Sequence, residues 1–201
     1  MTPGLVLLAA YIVGAIPFGY LLVRWKTGRD VRTIGSGNIG ATNVVRTTGR
    51  ALGIVTLLLD IAKGFFAVWL TARLTNGNLL WMSMAALAVM AGHAFPVFLK
   101  FRGGKAVASF IGAFLYLTPL PLAAVLVVFV VSVAVTRYIS VGSVLAAGSF
   151  PLAVWIILHP PAPLLAAALF AGAFIVWRHK SNIERLRAGK EHTFSFGGRR
   201  S

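Results

Sequence analysis

One stretch of this chain runs for 31 residues without a charged or histidine side chain, from Ala106 to Thr136. Uncharged apolar stretches of 18 residues or more are typical of transmembrane helices, because a helix needs about 20 residues to cross the hydrocarbon layer. Further apolar stretches of 16 to 22 residues occupy 3–23, 51–72, 79–99, 139–158 and 162–177. Only Asp60, Lys63 and His93 interrupt them with groups that titrate or carry charge near neutral pH. We therefore predict an all-α integral membrane protein.

Composition leaves little room for a soluble domain. Apolar residues make up 58% of the 201 positions and charged residues only 11%, against about 25% charged in ordinary soluble domains. We predict a single membrane domain over 1–201, with polar cytoplasmic segments at 24–50, 92–109 and 178–191 and a flexible tail at 193–201.

The basic residues predict the orientation. Of 19 Lys and Arg residues, six lie in 24–50, three in 100–105 and seven in 178–201. Basic loops stay in the cytoplasm of membrane proteins, so we expect the N-terminus outside and the C-terminus inside. This placement also accounts for the net charge of +15, and no nucleic-acid partner is predicted.

The number of spans depends on the stretch 106–136. It is too long for one crossing, both flanks are basic, and 118-TPLP-121 interrupts it, which together predict a hairpin. If both arms cross there are seven transmembrane helices, and if the hairpin is re-entrant there are five. We favour seven, with these two arms thin or tilted.

The sequence 35-GSGNIG-40 matches the G-x-G-x-x-G pattern of dinucleotide-binding proteins, and Asp60 follows it by 20 residues. Its context excludes that fold, because a basic loop at 24–34 precedes it and Asp60 lies within an apolar helix. The glycines still allow a tight turn whose backbone N–H groups face a phosphate.

The first segment is dense in groups that donate to oxyanions. They are Ser36, Gly37, Asn38, Gly40, Thr42, Asn43 and Arg46. A P-loop is excluded because Ala41 stands where the lysine would be. The alternative is a solvated turn that caps the next helix.

The second segment, 92-GHAFPVFLKFRGGKAVAS-109, suggests another anion site. We expect Gly103 and Gly104 to precede a helix with Lys105 in its first turn, where the N-terminus attracts anions. His93 is assigned to phosphate contact, with a buried and satisfied interfacial histidine as the alternative.

The third segment is 178-RHKSNIERLRAGKE-191. His179 and Asn182 are three residues apart and would share a helix face; an amphipathic helix lying on anionic lipid is the alternative. Asp60, Lys63 and Glu191 are interpreted as structural, the first two as an ion pair, because a lone charge in a transmembrane helix costs about 2.5–3.5 kcal/mol on insertion scales.

Taken together, the three segments resemble the three motifs of the acyl-phosphate-dependent glycerol-3-phosphate acyltransferases of bacterial membranes. The motifs, as they stand here, are S-G-N-x-G-A-T-N-x-x-R, G-H-x-x-P-V-F-x-x-F-x-G-G-K and R-H-x-x-N-I-x-R-L-x-x-G-x-E. That family commonly continues its second motif as G-G-K-G-V-A-T, whereas this chain has 103-GGKAVAS-109. Ala106 therefore replaces a glycine.

The resemblance implies transfer of a fatty acyl group from acyl phosphate to the 1-hydroxyl of glycerol 3-phosphate at the cytoplasmic face of the bacterial inner membrane. The partners would be those two substrates and the phospholipid bilayer, and no cofactor or metal is expected. We assign Ser36, Arg46, Lys105, His179 and Asn182 as candidate catalytic residues. Either His179 or the donor phosphate would accept the proton.

A phosphate or organic-anion transporter is the alternative from another class. Transporters commonly show internal repeats and paired half-helices near the midplane. This chain shows no repeat, and its polar groups are concentrated on the predicted cytoplasmic side.

Overall fold

The computed structural model describes residues 2–194, which form helices and loops without a β-strand. The α-helices are α1 Pro3–Ala15, α2 Phe18–Thr27, α3 Ala41–Thr48, α4 Arg50–Leu74, α5 Leu79–Ala94, α6 Val107–Leu117, α7 Pro119–Thr136, α8 Ile139–Leu158, α9 Ala162–Arg178 and α10 Lys180–Arg187. Two short 3-10 helices cover Val31–Thr33 and Val97–Leu99. The all-α prediction is confirmed, and the predicted tail lies outside the described residues from 195 onward.

Within the described residues 2–194, five helical spans are long and apolar enough to cross a membrane. They are Gly4–Thr27, Arg50–Leu74, Leu79–Leu99, Pro119–Thr136 and Ile139–Leu158. A sixth results if α9 and α10, which meet at a bend of 49°, are counted together. Helix α6 has 11 residues and is about 16 Å long at 1.5 Å per residue. The number of crossings and their orientation stay predictions.

The first span is broken where the sequence predicted one helix over 3–23. Helix α1 ends at Ala15, and α2 begins at Phe18 after Pro17, which has φ −94° and ψ 71°. Proline has no N–H to continue the helical hydrogen bonds and its ring crowds the preceding turn. The predicted loop from 24 is also corrected, because α2 continues to Thr27 and the loop starts at Gly28.

The chain divides into two compact units, one up to Leu117 and one from Thr118. In the first unit, α4 packs against α6 and α1 against α5. Glycines allow both contacts. A side chain at Gly14 of α1 or Gly92 of α5 would overlap the backbone of the other helix of that pair. The same holds for Gly64 of α4 and Gly112 of α6. Small residues permit such close approach between membrane helices.

The second unit contains α7 to α10, in which α8 packs against both α7 and α9. Its interior is apolar, with Leu122, Phe150 and Ile175 almost fully buried. Gly172 of α9 lies so close to the carbonyl of Ala147 in α8 that a side chain would not fit. These contacts hold α9, at whose end the third polar segment begins.

A small apolar cluster in the first unit joins two of the polar segments. Its buried members are Val23, Val31, Ile39, Val44 and Leu99. The first four come from the 24–50 region or its edge, and Leu99 comes from the second segment. Burial of these side chains therefore holds the first two polar segments beside each other.

Candidate active site

Asn43 organises the loop of the first segment from inside. Its side chain is almost fully buried, with the residue 1% exposed. Its Oδ1 accepts a hydrogen bond from the N–H of Ser36 at 2.9 Å. Its Nδ2 donates to the carbonyl oxygens of Val31, Ile34 and Asn38 at 3.3, 3.1 and 2.8 Å. The side chain that the sequence assigned to phosphate thus binds its own loop, and we treat it as a residue that shapes the site.

Two glycines give this loop its turn. Gly35 and Gly37 have φ values of +60° and +70°, in the left-handed region that favours glycine. A side chain at Gly35 would overlap the Oδ1 of Asn43. The N–H of Gly37 donates to the carbonyl of Ile34, and the N–H of Gly40 donates to Oδ1 of Asn38 at 2.8 Å. The N–H groups of Ser36, Gly37 and Gly40 therefore stabilise the turn itself.

The opposite side of this segment lies on the surface of the protein. Ser36, Gly37, Thr42 and Arg46 are exposed, and Thr42 and Arg46 lie four residues apart on one face of α3. Gly40 precedes the first residue of α3, Ala41, so the positive end of the helix dipole lies in the same region. Hydroxyl groups, a guanidinium and a helix N-terminus together suit an anionic ligand.

The second segment differs from its prediction in two ways. The N–H groups of Gly103 and Gly104, assigned by the sequence to a phosphate, donate to the carbonyls of Ala94 and His93 at 3.2 and 3.1 Å. Helix α6 begins only at Val107, so Lys105 lies before the helix and not in its first turn. The segment is thereby tied to the end of α5, and Lys105 is half-buried.

Ala106 has φ +63° and is fully buried. An L-residue in this left-handed conformation is strained by about 1–2 kcal/mol. The family's glycine at this place would adopt it without that cost. The left-handed backbone alone therefore accounts for the family's glycine, and no contact between this residue and a ligand is needed to explain it.

His93, Asp60 and Lys63 lie together in the interior of the first unit. They are 4%, 2% and 4% exposed. Lys63 Nζ lies 2.8 Å from Asp60 Oδ1, the contact that their spacing predicts, and His93 Nδ1 lies 3.6 Å from the same oxygen. His93 is thus placed as a buried neighbour of an ion pair.

His179 lies at the bend between α9 and α10 and is 3% exposed. Its Nδ1 lies 2.8 Å from the carbonyl oxygen of Ile175. A carbonyl only accepts hydrogen bonds, so Nδ1 carries the proton, and in the neutral ring Nε2 holds the lone pair that accepts one. The structure therefore shows that a backbone carbonyl orients this ring.

Glu191 connects the third segment to α8. Its carboxylate accepts hydrogen bonds from Ser140 Oγ at 3.0 Å, Asn182 Nδ2 at 2.6 Å and Arg185 Nε at 2.7 Å. Burial raises the pKa of Glu191, but these three donors outweigh it and the net pKa is lowered. Ser140 is 51 residues away in sequence, and no local pattern indicated it.

The carboxylate of Glu191 also fixes Asn182, which the sequence assigned to catalysis. Asn182 is 6% exposed, and its Nδ2 is the donor to Glu191. His179 and Asn182 are linked in the backbone as well, because the N–H of Asn182 donates to the carbonyl of His179 at 2.9 Å. The two residues therefore form one rigid turn at the start of α10.

Known proteins resemble this chain over nearly all of its length. The family described as "Glycerol-3-phosphate acyltransferase" matches residues 4–189. A glycerol-3-phosphate acyltransferase of Trichlorobacter lovleyi is 48% identical over 195 residues, 96% of this chain and 99% of its own. One of Desulforamulus reducens is 44% identical over 192 residues, 95% of this chain and 94% of its own.

Two solved structures of PlsY (YgiH), an integral membrane glycerol 3-phosphate acyltransferase, have the same fold. The glycerol 3-phosphate form matches with a TM-score of 0.91 and 34% identity, over 97% of this chain and 96% of that one. The lysophosphatidic acid form matches with a TM-score of 0.87 and 32% identity, over the same shares. With its long apolar helices, this chain is a multi-pass membrane enzyme. It belongs to the glycerol-3-phosphate acyltransferase family.

Proposed function

We propose that this chain transfers a fatty acyl group from acyl phosphate to the 1-hydroxyl of glycerol 3-phosphate. The products are lysophosphatidic acid and phosphate. The observation that carries the proposal is the match to the glycerol 3-phosphate form of the related enzyme, which has a TM-score of 0.91 over 97% of the chain. The match to its lysophosphatidic acid form supports the proposed product.

The exposed face of the first segment is proposed to bind phosphate. Arg46 offers a planar fork that suits two phosphate oxygens at once, and Thr42 and Ser36 add hydroxyl donors nearby in the same segment. Lys105 adds a point charge from the second segment, which the shared apolar cluster holds beside the first. Both substrates carry a phosphate, so two cations are matched to two anions.

The reaction needs no covalent intermediate with the protein. Acyl phosphate is a mixed anhydride, so its carbonyl carbon is already activated toward attack by an alcohol oxygen. The new ester C–O bond forms, the C–O bond to phosphate breaks, and the hydroxyl proton moves to a base. The chain has no cysteine, and this scheme requires no thiolate.

Two groups are proposed as acceptors of that proton. The first is Nε2 of His179, whose lone pair is fixed by the hydrogen bond between Nδ1 and Ile175. The second is the donor phosphate itself, in which case His179 and Asn182 form the rigid turn that positions the reactants. Substitutions at His179 separate these schemes and are argued below.

We also propose the cellular placement. The concentration of Lys and Arg in 24–50, 100–105 and 178–201 supports a cytoplasmic location for the three segments in the bacterial inner membrane. It supports an N-terminus outside and a C-terminus inside, and we propose seven crossings. The short helix α6 would then cross at a place where the hydrocarbon layer is locally thin.

The donor assay tests the proposed function. Purified enzyme receives labelled glycerol 3-phosphate with either acyl phosphate, acyl-CoA or acyl-carrier protein, and formation of lysophosphatidic acid is followed. We expect product with acyl phosphate alone. Comparable turnover with a thioester would overturn the donor assignment, and no turnover with any donor would overturn acyl transfer.

A further inference from the structure

Three ionisable side chains that the proposed chemistry does not use lie buried together in the first unit. They are Asp60 and Lys63 of α4 and His93 of α5, each at most 4% exposed. Removing a charge from water costs several kcal/mol unless good partners compensate. A buried group of this kind in a membrane helix is therefore a sign of function.

One end of this cluster is anchored at the break in the first span. Lys63 Nζ lies 2.8 Å from Asp60 Oδ1 and donates to the carbonyl oxygen of Ile16 at 2.8 Å. Ile16 precedes Pro17, which interrupts the helix. The ammonium thus binds a backbone carbonyl at the break and the carboxylate at once.

The other end reaches the segment that carries Lys105. The His93 ring has Nδ1 3.6 Å from Asp60 Oδ1, and on its other side a Cβ at position 104 would overlap its Nε2. The ring therefore lies between the carboxylate and the backbone of Gly104. The carbonyl of His93 also accepts the N–H of Gly104 at 3.1 Å.

We propose that Asp60, Lys63 and His93 are positioning residues that fix segment 103–105 and, through it, the ammonium group of Lys105. In this role His93 replaces the direct phosphate contact that the sequence suggested. The inference rests on the proposed function, because its readout is the use of glycerol 3-phosphate. It predicts that disturbing the cluster raises KM for glycerol 3-phosphate more than it lowers kcat.

A pair of substitutions tests the contact between the ring and the glycine. Gly104→Ala places a methyl group where the His93 ring lies, and we expect KM for glycerol 3-phosphate to rise about tenfold, the size typical of coupled neighbours. In a His93→Ala background the ring is absent. There the added Gly104→Ala should change KM by less than about twofold.

Gly103→Ala is the matched control. A Cβ at Gly103 would overlap the backbone carbonyl of His93 and the ring of Pro96, which His93→Ala leaves in place. Neither glycine has a positive φ, so alanine adds no backbone strain of that kind. The effect of Gly103→Ala on KM should therefore be the same in both backgrounds.

The role of the carboxylate is tested by Asp60→Asn, which keeps the shape and removes the charge. We expect KM for glycerol 3-phosphate to rise about tenfold while kcat stays within about threefold. An unchanged KM would overturn the role of Asp60. If this variant does not fold, the pair at 93 and 104 still decides.

Equal effects of Gly104→Ala in the two backgrounds would overturn the proposal. If the wild-type enzyme acylates glycerol 3-phosphate but the effects of His93→Ala and Gly104→Ala on KM are additive, only the positioning role fails and the proposed function stays intact. A wild-type protein without that activity would instead remove the proposed function. The two failures are therefore distinguishable in one set of assays.

Discussion

Arg46 and Lys105 are the residues whose loss should most impair acyl transfer. Arg46 is exposed on α3 and Lys105 precedes α6, and each is proposed to neutralise a phosphate. Loss of a donor that stabilises the transition state lowers the rate by about 10²–10³. We expect Arg46→Ala and Lys105→Ala to show losses of that size with unchanged melting temperature.

Arg73→Ala is the matched control, since Arg73 is exposed, lies over the Trp69 ring and is at the opposite end of α4 from the first segment. Its activity should match wild type. Arg46→Lys should stay impaired, because an ammonium cannot form the bidentate contact. Activity of Arg46→Ala within threefold of wild type would remove Arg46 from the site.

His179 distinguishes the two proton-transfer schemes. If Nε2 is the base, His179→Ala and His179→Gln should both lose most activity, and wild-type kcat/KM should fall as pH drops through the histidine range. If the donor phosphate accepts the proton, His179→Gln should retain much of the activity. A glutamine variant as inactive as alanine, with normal glycerol 3-phosphate binding, argues against the substrate-assisted scheme.

At the level of residues, the sequence identified which segments matter but not which way their side chains face. Asn43 and Arg46 were both assigned to phosphate, yet Asn43 is 1% exposed and binds its own loop. Asn side chains readily satisfy nearby backbone groups, so composition alone cannot separate these roles. The carbonyl of Ile175 orients His179, and the sequence could not predict this contact because every residue has a backbone carbonyl.

The turn into α6 stores strain at Ala106. Its φ of +63° costs an L-residue about 1–2 kcal/mol, and Ala106→Gly removes that cost. Ala113 of α6 is equally buried and has no positive φ, so Ala113→Gly loses the same methyl group without any relief. Glycine inside α6 also costs about 1 kcal/mol relative to alanine, so we expect Ala106→Gly to be more stable than Ala113→Gly by about 2–3 kcal/mol.

Unfolding of the two purified variants, followed side by side in the same detergent, measures this difference. If Ala113→Gly is the less stable variant by only about 1 kcal/mol, which is the helix cost of glycine alone, residue 106 is unstrained. Activity serves as an independent reading, since Ala106→Gly should keep the position of Lys105 and leave acyl transfer close to wild type.

Glu191 should make the third segment sensitive to acid. Burial raises its pKa, but the donors Asn182, Arg185 and Ser140 together lower it by more, so the folded pKa lies below the unfolded one. The charged carboxylate therefore stabilises the fold fully at pH values above its pKa in the unfolded chain, about 4.3. This stabilisation is lost as the pH falls through the lower pKa of the folded state. We expect Glu191→Gln to be less stable than wild type by about 1–3 kcal/mol at neutral pH.

The difference between wild type and Glu191→Gln should shrink as pH falls below about 4.3. Glu184→Gln is the control, because Glu184 is exposed on α10 and its replacement should leave the melting temperature close to wild type. Melting curves of the three proteins across this pH range measure the effect. A difference that stays constant with pH would contradict the role of the charge.

At the level of helices, the apolar stretches predicted where the long helices lie, but they predicted the local breaks poorly. The end of α6 and start of α7 follow the predicted interruption at 118–121. The break at Pro17 was missed, because the flanking residues are apolar on both sides and hydropathy does not register it. The carbonyl of Ile16 at this break accepts from the N–H of Phe18 and also from Lys63 Nζ, and the second contact is one that only tertiary packing produces.

For the whole molecule, the open question of five or seven crossings concerns the residues between α6 and α7. Seven crossings place that turn outside, whereas a re-entrant hairpin keeps it within the membrane and away from the outer face. The chain has no cysteine, so a single introduced thiol reports its own side of the membrane. Leu120 is 63% exposed near the start of α7 and is suited to this purpose.

We expect Leu120→Cys to react with a membrane-impermeant thiol reagent added outside intact cells, because seven crossings are proposed. Ala162→Cys, exposed at the start of α9, should react in the same way, since the segment near it carries almost no charge. Ser181→Cys, exposed on α10 in the basic third segment, should react only after the cells are opened. If Leu120→Cys does not react from outside while Ala162→Cys does, the hairpin is re-entrant and the chain crosses five times. The two reference thiols give the same result in both cases, so the reactivity at position 120 alone decides.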